Sequence, residues 1–180
     1  MRHARLAGLA VLALALSAST ASAQRAGGGA AASGYWEFGT DAALTLGLDD
    51  PRFVSLTIPA GLVRAGYFTT PTVSIEPVFS WVSVGSEGAT GFSEYTIGVG
   101  VLLHRSADRT MQQIFLRPFL LIADGSGGGD AALTVGVGVG VKRPILNGRA
   151  AGRAEANVSY NDASERLNLN ALLGVSIYSR

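Results

Sequence analysis

The sequence predicts an all-β fold, an eight-stranded antiparallel up-and-down transmembrane β-barrel. Three observations carry that expectation. Beyond Tyr35 the apolar residues recur with a period of two, that of a strand, and not with the roughly 3.6 of a helix. Charged residues make up only 15% of the chain, against roughly 25% in ordinary soluble domains. Past the N-terminus, no run approaches the roughly 18 apolar residues of a membrane-spanning helix. A chain this apolar, without a helix to place in a bilayer, is expected to cross it with strands.

The first 33 residues are read as address and leader. Arg2, His3 and Arg5 form a basic start, Leu6 to Leu16 is an apolar run, and Ser17 to Ala23 is small and ends Ala21-Ser22-Ala23. That order is a signal peptide over 1–23 with an A-x-A cleavage site. Gln24 to Ser33 is small and Gly-rich, a flexible leader. Cleavage removes Arg2 and Arg5, so 14 basic residues become 12 against 13 acidic ones. A near-neutral chain does not carry the basic patch of a nucleic-acid binder. The absence of Cys excludes a disulfide framework and thiolate chemistry.

From residue 34 to 180 a single barrel domain is expected. Its strands run roughly over 35–46, 53–66, 72–84, 92–104, 112–122, 131–141, 150–160 and 166–178. The clearest is the sixth, where Leu133, Val135, Val137, Val139 and Val141 alternate with Thr134, Gly136, Gly138 and Gly140. The fourth sets Tyr95, Ile97, Val99, Val101 and Leu103 against Glu94, Thr96, Gly98, Gly100 and His104. The eighth repeats the pattern from Leu167 to Ile177, and the third sets Val73, Ile75, Phe79 and Trp81 against Ser74, Glu76 and Ser80. Connections are rich in Gly, Ser, Asp and Pro, as turns require. In the second segment the apolar phase slips by one residue after Ile58, and Pro59-Ala60-Gly61 is where a bulge can absorb it. The fifth, Ile114 to Ile122, is apolar on both faces except for Arg117 and Pro118, so periodicity there is also compatible with a short buried helix.

The polar face does not read as a soluble surface. It is Gly, Thr, Ser and Asn with sparse charges, among them Glu37, Asp41, Arg64, Glu76, Glu94, Arg117, Arg153 and Glu155. Glycine weakens a solvent-facing strand for no gain, whereas along a narrow lumen it makes room for long side chains from the opposite wall. An apolar lipid-facing band around a polar lumen is the pattern of an outer-membrane barrel. Eight strands enclose a space that side chains fill, so Arg64, Glu76, Arg117, Arg153 and Glu155 are expected to form a paired network that plugs it. In the second hairpin a three-residue connection, Thr69 to Pro71, sets Arg64 opposite Glu76. Phe115 and Phe119 are expected to point inward over Gly136 and Gly140 on one side and Gly98 and Gly100 on the other. Aromatics gather near both strand ends: Tyr35, Trp36, Phe38, Tyr67, Phe68 and Tyr178 at one, and Phe53, Trp81, Phe92, Tyr95 and Tyr160 at the other. They read as two interfacial girdles.

With the phrases Arg64-Ala-Gly-Tyr-Phe68, Ser74-Ile-Glu-Pro77 and Leu116-Arg-Pro118, the chain resembles the small outer-membrane barrels of Gram-negative bacteria, of the OmpA-barrel and OmpX-like kind. The resemblance implies the bacterial outer membrane as location, with outer-membrane lipids and lipopolysaccharide as surroundings. It also implies the assembly machinery and periplasmic chaperones as partners on the way, and a monomer. The family's aromatic terminus is displaced here, Tyr178 being followed by Ser179 and Arg180.

Little in the sequence points to catalysis. Gly127-Gly128-Gly129 lacks the Gly-Lys-Ser/Thr of a phosphate loop, and Gly136-x-Gly138-x-Gly140 lacks a dinucleotide fingerprint's spacing. No cofactor and no metal site are expected, since His104 is the sole histidine after cleavage. The expected role is therefore non-enzymatic, structural or at the cell surface. Two alternatives stand. One is a lipid-acting hydrolase with His104 as base, which requires a nearby Ser and a carboxylate in a lipid-accessible groove. The other is a soluble periplasmic lipocalin-like barrel, which requires the Val/Leu face to point inward. A periplasmic N-terminus makes four connections external, with Asp49, Asp50, Glu87, Asp124, Asp130, Asp162 and Glu165; Arg105, Arg109, Arg143 and Arg149 fall in periplasmic ones. The acidic rim is expected to recruit divalent cations as bridges to anionic lipid headgroups.

Overall fold

The computed structural model describes residues 34–49, 52–57, 63–84, 92–126 and 131–179. The signal-peptide and leader expectations fall on 1–33, and Pro59-Ala60-Gly61 on 58–62; both lie outside the described residues. The strands are β1 (Trp36–Gly47), β2 (Phe53–Thr57), β3 (Val63–Thr70), β4 (Val73–Val84), β5 (Phe92–His104), β6 (Gln113–Gly125), β7 (Ala132–Ile145), β8 (Ala150–Asn161) and β9 (Arg166–Tyr178). Each pairs antiparallel with its neighbour, and β1 also pairs with β9 from Glu37↔Tyr178 to Gly47↔Asn168, which closes the sheet into a barrel. Segments β2 and β3 share one position in the wall, both laddered to β1, so the barrel has eight staves.

The expected second strand is thus two. Ala43 faces Thr57 and Thr40 faces Val63, so two residues of β1 stand opposite the five that join β2 to β3. An odd excess of three flips the facing of the chain, which is the phase slip visible in the sequence. The fifth expected strand is β6 and not a helix. Both its faces are apolar because its inward side packs Phe115 and Phe119 over Gly140 and Gly136 of β7. On the β5 side the expected ring-over-glycine contacts are replaced: Arg117 covers Gly100 and Leu121 covers Gly98.

The lower end of the barrel, where β1 begins, carries the joins between β3 and β4, β5 and β6, and β7 and β8; the upper end carries those between β1 and β2, β4 and β5, β6 and β7, and β8 and β9. In the β3–β4 hairpin the ladder runs Arg64↔Val78 and Phe68↔Ser74, then shifts to Thr70↔Val73 around a two-residue turn. Arg64 therefore does not sit opposite Glu76. A turn at Pro71-Thr72 in place of Thr69 to Pro71 moves the partner of Arg64 on by three residues, and a one-residue bulge at Thr69 takes one back, a net slide of two.

The apolar face is outside. Val54, Leu56, Phe79, Trp81, Val139, Leu173, Val175 and Ile177 are all exposed. The buried set is dominated by polar and charged side chains, among them Glu37, Arg64, Glu76, Lys142, Arg153 and Glu155. That inversion of the soluble pattern overturns the lipocalin-like alternative, which needs the Val/Leu face around the cavity. Girdle assignments divide. Trp36, Phe38 and Tyr67 stand outside the lower end and Trp81 and Tyr95 outside the upper one, but Tyr35, Phe68 and Tyr178 turn inward and form a buried cluster. The side chains of Phe53 and Phe92 lie outside the described set.

Candidate functional site

A cluster of paired charges crosses the middle of the barrel. Alternation on β1, β3, β4, β6, β7 and β8 points one or two ionisable side chains from each stave at the axis, where water is too scarce to solvate them singly. Arg64 is 1% exposed. Its Nε donates to Asp41 Oδ2 at 2.7 Å, and its Nη1 donates to Glu37 Oε1 at 3.0 Å and Glu76 Oε2 at 3.4 Å. Its Nη2 donates to the Ser176 hydroxyl at 2.9 Å and the Val175 carbonyl at 3.1 Å. Lys142 Nζ donates to Glu37 Oε2 at 2.6 Å. Arg153 bridges two carboxylates, Glu76 and Glu155, each at 2.6 Å. Arg117 donates from Nε and Nη2 to Glu155, the latter at 2.6 Å, and its Nη1 lies 4.0 Å from Glu76.

The sequence-derived set Arg64, Glu76, Arg117, Arg153 and Glu155 is therefore brought together in space, although its links differ from the expected ones. Glu76 makes its short contact across the barrel with Arg153, and only its long one with Arg64 on the neighbouring strand. Sequence reasoning left out three members. Glu37 and Asp41 stood on the polar face but were not placed in the network. Lys142 was missed because the sixth expected strand stopped at Val141, whereas β7 runs on to Ile145 and alternation carries Lys142 inward. Four cations (Arg64, Arg117, Lys142, Arg153) meet four anions (Glu37, Asp41, Glu76, Glu155) in these ion pairs, so the cluster is neutral. Glycines give it room: a Cβ on Gly39 would lie 2.5 Å from Arg64 Cζ, and one on Gly174 would collide with Asp41.

Below the cluster the interior is aromatic. Tyr35 stacks on Phe68 with centroids 4.2 Å apart, and Tyr178 meets Tyr35 edge-on. Arg109, from the β5–β6 connection, lies over the Tyr35 ring at 3.7 Å and caps the lower end from outside. The neighbouring Asp108 is held below the usual carboxylate range by the Thr110 hydroxyl and amide that donate to it. Arg109→Ala is expected to lower stability by about 0.5–1 kcal/mol, the value of a partly solvated cation–π contact. Urea titrations of the refolded protein measure it, and an unchanged midpoint would contradict the cap.

His104 lies in this lower half, stacked on Phe68 at 5.1 Å. Its Nε2 is 3.3 Å from the Ser74 hydroxyl, but its Nδ1 has no partner among the described residues. Ser74 is 1% and His104 5% exposed. The pair thus lacks both the carboxylate that would orient the imidazole and the lipid-accessible groove that the hydrolase reading requires.

At the upper end, three carboxylates of the acidic rim serve the strand ends. Asp49 accepts from the Leu167 amide, Asp162 from the Leu133 amide, and Asp124 from the Gly125 amide and the Tyr95 hydroxyl. Asp50, Glu87 and Asp130 lie outside the described residues, and among the described residues no three carboxylate or imidazole ligands converge. Arg143 belongs to β7 and not to a connection. Between this rim and the charged cluster the lumen opens into a cavity of about 800 Å³.

No family model matches the chain, and no match is found among the curated proteins. Solved structures do match. Ail, the attachment invasion locus protein of Yersinia pestis, is similar at a TM-score of 0.50 and 12% identity, over 82% of this chain and 100% of that one. The N-terminal β-barrel domain of OprF from Pseudomonas aeruginosa is similar at a TM-score of 0.56 and 12% identity, over 82% and 98%. A transmembrane β-barrel designed de novo is similar at a TM-score of 0.50 and 11% identity, over 84% and 100%. Likeness at such identities is a likeness of fold. The chain has the closed eight-stranded antiparallel barrel fold of these structures.

Proposed function

We propose that the protein is a non-enzymatic barrel of the bacterial outer membrane, with a structural or surface-interaction role in the envelope and a lumen plugged by its ion pairs. The observation that supports this most is the inverted surface: exposed Val, Leu, Ile, Phe and Trp outside, and a neutral set of four cations and four anions inside. An outer wall of that composition is stable only against hydrocarbon, and a closed ladder leaves few backbone groups for the lipid to satisfy. Ions crossing the middle would have to part carboxylates and guanidiniums held at 2.6 Å. Its surroundings are outer-membrane lipids and lipopolysaccharide. It is exported by a cleaved signal peptide, and chaperones and the assembly machinery deliver it as a monomer.

Two measurements test the reading. The protein is expected to fractionate with outer membranes and to migrate faster on gels before heating than after, as a closed barrel resists detergent. In planar bilayers at molar salt it is expected to give no unitary conductance steps. Fractionation with soluble periplasmic proteins would overturn the membrane assignment, and steady ohmic steps would overturn the plug.

A further inference from the structure

We propose that the outer wall around the lower end of β6 holds an anionic phospholipid, its phosphate gripped between Arg105 and Arg143. The inference rests on the membrane-embedded reading above and adds a lipid partner to it.

Both guanidiniums stand on the lipid side of the wall. Lys142 is buried in the lumen, so alternation turns its neighbour Arg143 outward, where it is exposed. Arg105 follows the buried His104 and is exposed as well. Its amide donates to the carbonyl of Ile114, an outward residue of β6. Ile114 in turn faces Val141 of β7, two residues before Arg143. The two arginines thus flank β6, with Cα positions roughly 12 Å apart by two strand spacings and one pleat repeat. Two extended side chains can close that gap onto one phosphate. The space beside them is open, since Arg143 pairs on β8 with Gly152, where an added Cβ would meet nothing within 4 Å. In the strand order β6 lies four staves from β1, on the far side of the barrel.

The charge here is unanswered. Neither arginine has an ion pair among the described residues, and neither does Arg149, exposed at the end of the β7–β8 turn. Asp108 is the only carboxylate in the β5–β6 and β7–β8 connections, and the Thr110 hydroxyl and amide already donate to it. Cations at a membrane surface attract anionic headgroups. An apolar border selects a lipid over a soluble anion. Ile114, Leu116 and Val139 are exposed on the side of the barrel's middle, and Met111, Ile145 and Leu146 on the side of its end. Leu146 is held at φ +51, in the left-handed region that side chains of its size rarely adopt, and is 74% exposed. A leucine presented in that way suits an interface where acyl chains receive the apolar groups and phosphates the arginines. The head must bring no cation of its own, because no carboxylate is free to answer an ammonium. Phosphatidylglycerol meets that condition and phosphatidylcholine does not. With an N-terminus left in the periplasm by export, this rim faces the phospholipid leaflet.

Native mass spectrometry of the refolded full-length barrel, titrated in detergent micelles with dioleoyl phosphatidylglycerol, is expected to show a saturable one-to-one adduct. It is expected to be about tenfold tighter than the adduct with dioleoyl phosphatidylcholine. Glycerol 3-phosphate, which carries the phosphate without the chains, is expected to give none at the same concentration. Arg143→Gln and Arg105→Gln are each expected to weaken the phosphatidylglycerol adduct about threefold or more and to leave the phosphatidylcholine adduct unchanged. Arg52→Gln removes an exposed arginine from the upper end and is expected to change neither. The heat-dependent gel shift shows separately that each variant is folded. A folded barrel that takes both lipids alike therefore overturns this inference and leaves the membrane assignment standing. An equal loss in Arg52→Gln would reduce the effect to net charge and overturn it. Tighter capture of lipid A than of phosphatidylglycerol would place this rim in the opposite leaflet and overturn it as well.

Discussion

Replacing Glu76 by Ala is expected to cost about 3–5 kcal/mol of folding free energy, the usual penalty for breaking a buried ion pair from one side. Glu76 is 1% exposed and stands between three guanidiniums: Arg153 at 2.6 Å, Arg64 at 3.4 Å and Arg117 at 4.0 Å. Its removal turns a neutral, buried cluster into one of net charge +1. Arg64 keeps Glu37 and Asp41, but Arg153 is left with Glu155 alone, which it shares with Arg117. The loss should therefore be felt through Arg153. Double-mutant cycles, read from urea titrations in lipid vesicles, are expected to give a larger coupling for Glu76 with Arg153 than for Glu76 with Arg64. A larger coupling to Arg64 would mean that the hairpin neighbour is the true partner. Glu76→Gln keeps an acceptor for Arg153 and is expected to lose less than the alanine variant.

The same cluster marks where the sequence is informative and where it is not. Alternation fixes which side of the wall each residue faces, because a strand's period of two admits no other arrangement. That placed Arg64, Glu76, Arg117, Arg153 and Glu155 on one face without any contact being visible. Parity also held information that went unread. Tyr35 is two residues from Glu37, Phe68 four from Arg64, and Tyr178 two from Ser176, so all three belong inside with the charges; proximity to strand ends made them look like interfacial aromatics. Partners are a different matter. Lys142 meets Glu37 from 105 residues away and Arg153 meets Glu76 from 77, distances set by the closure and tilt of the whole barrel. No local pattern reports either. The division of the expected second strand into β2 and β3 announced itself only as a one-residue slip in phase, since an excess of three and an excess of one leave the same alternation downstream.

Gly138→Leu is expected to be the most damaging single change on the glycine face, at about 3–5 kcal/mol or a failure to refold. Size complementarity alone suggests that this position lies beneath a ring, as its neighbours do: Gly136 packs under Phe119 and Gly140 under Phe115. Gly138 instead lies under the carboxylate of Glu155. A Cβ there would sit 2.5 Å from Glu155 Oε1 and 2.9 Å from Asn157 Cβ. That oxygen accepts from Arg117 Nε at 3.0 Å, Arg117 Nη2 at 2.6 Å and Asn157 Nδ2 at 3.1 Å. Any side chain at 138 must therefore push aside the acceptor on which Arg117 depends. A phenyl ring can tilt and keep its contacts, whereas a displaced carboxylate strands a buried guanidinium. Gly152 supplies the control, being a strand glycine of the neighbouring stave, β8, whose added Cβ would meet nothing within 4 Å. Gly152→Leu is expected to refold as the parent does, because its side chain extends into lipid. Refolding yield, read as the heat-dependent gel shift, and urea midpoints of the two variants decide the matter. Equal behaviour of the two would show that lumen crowding, and the carboxylate above Gly138, do not govern how this barrel closes.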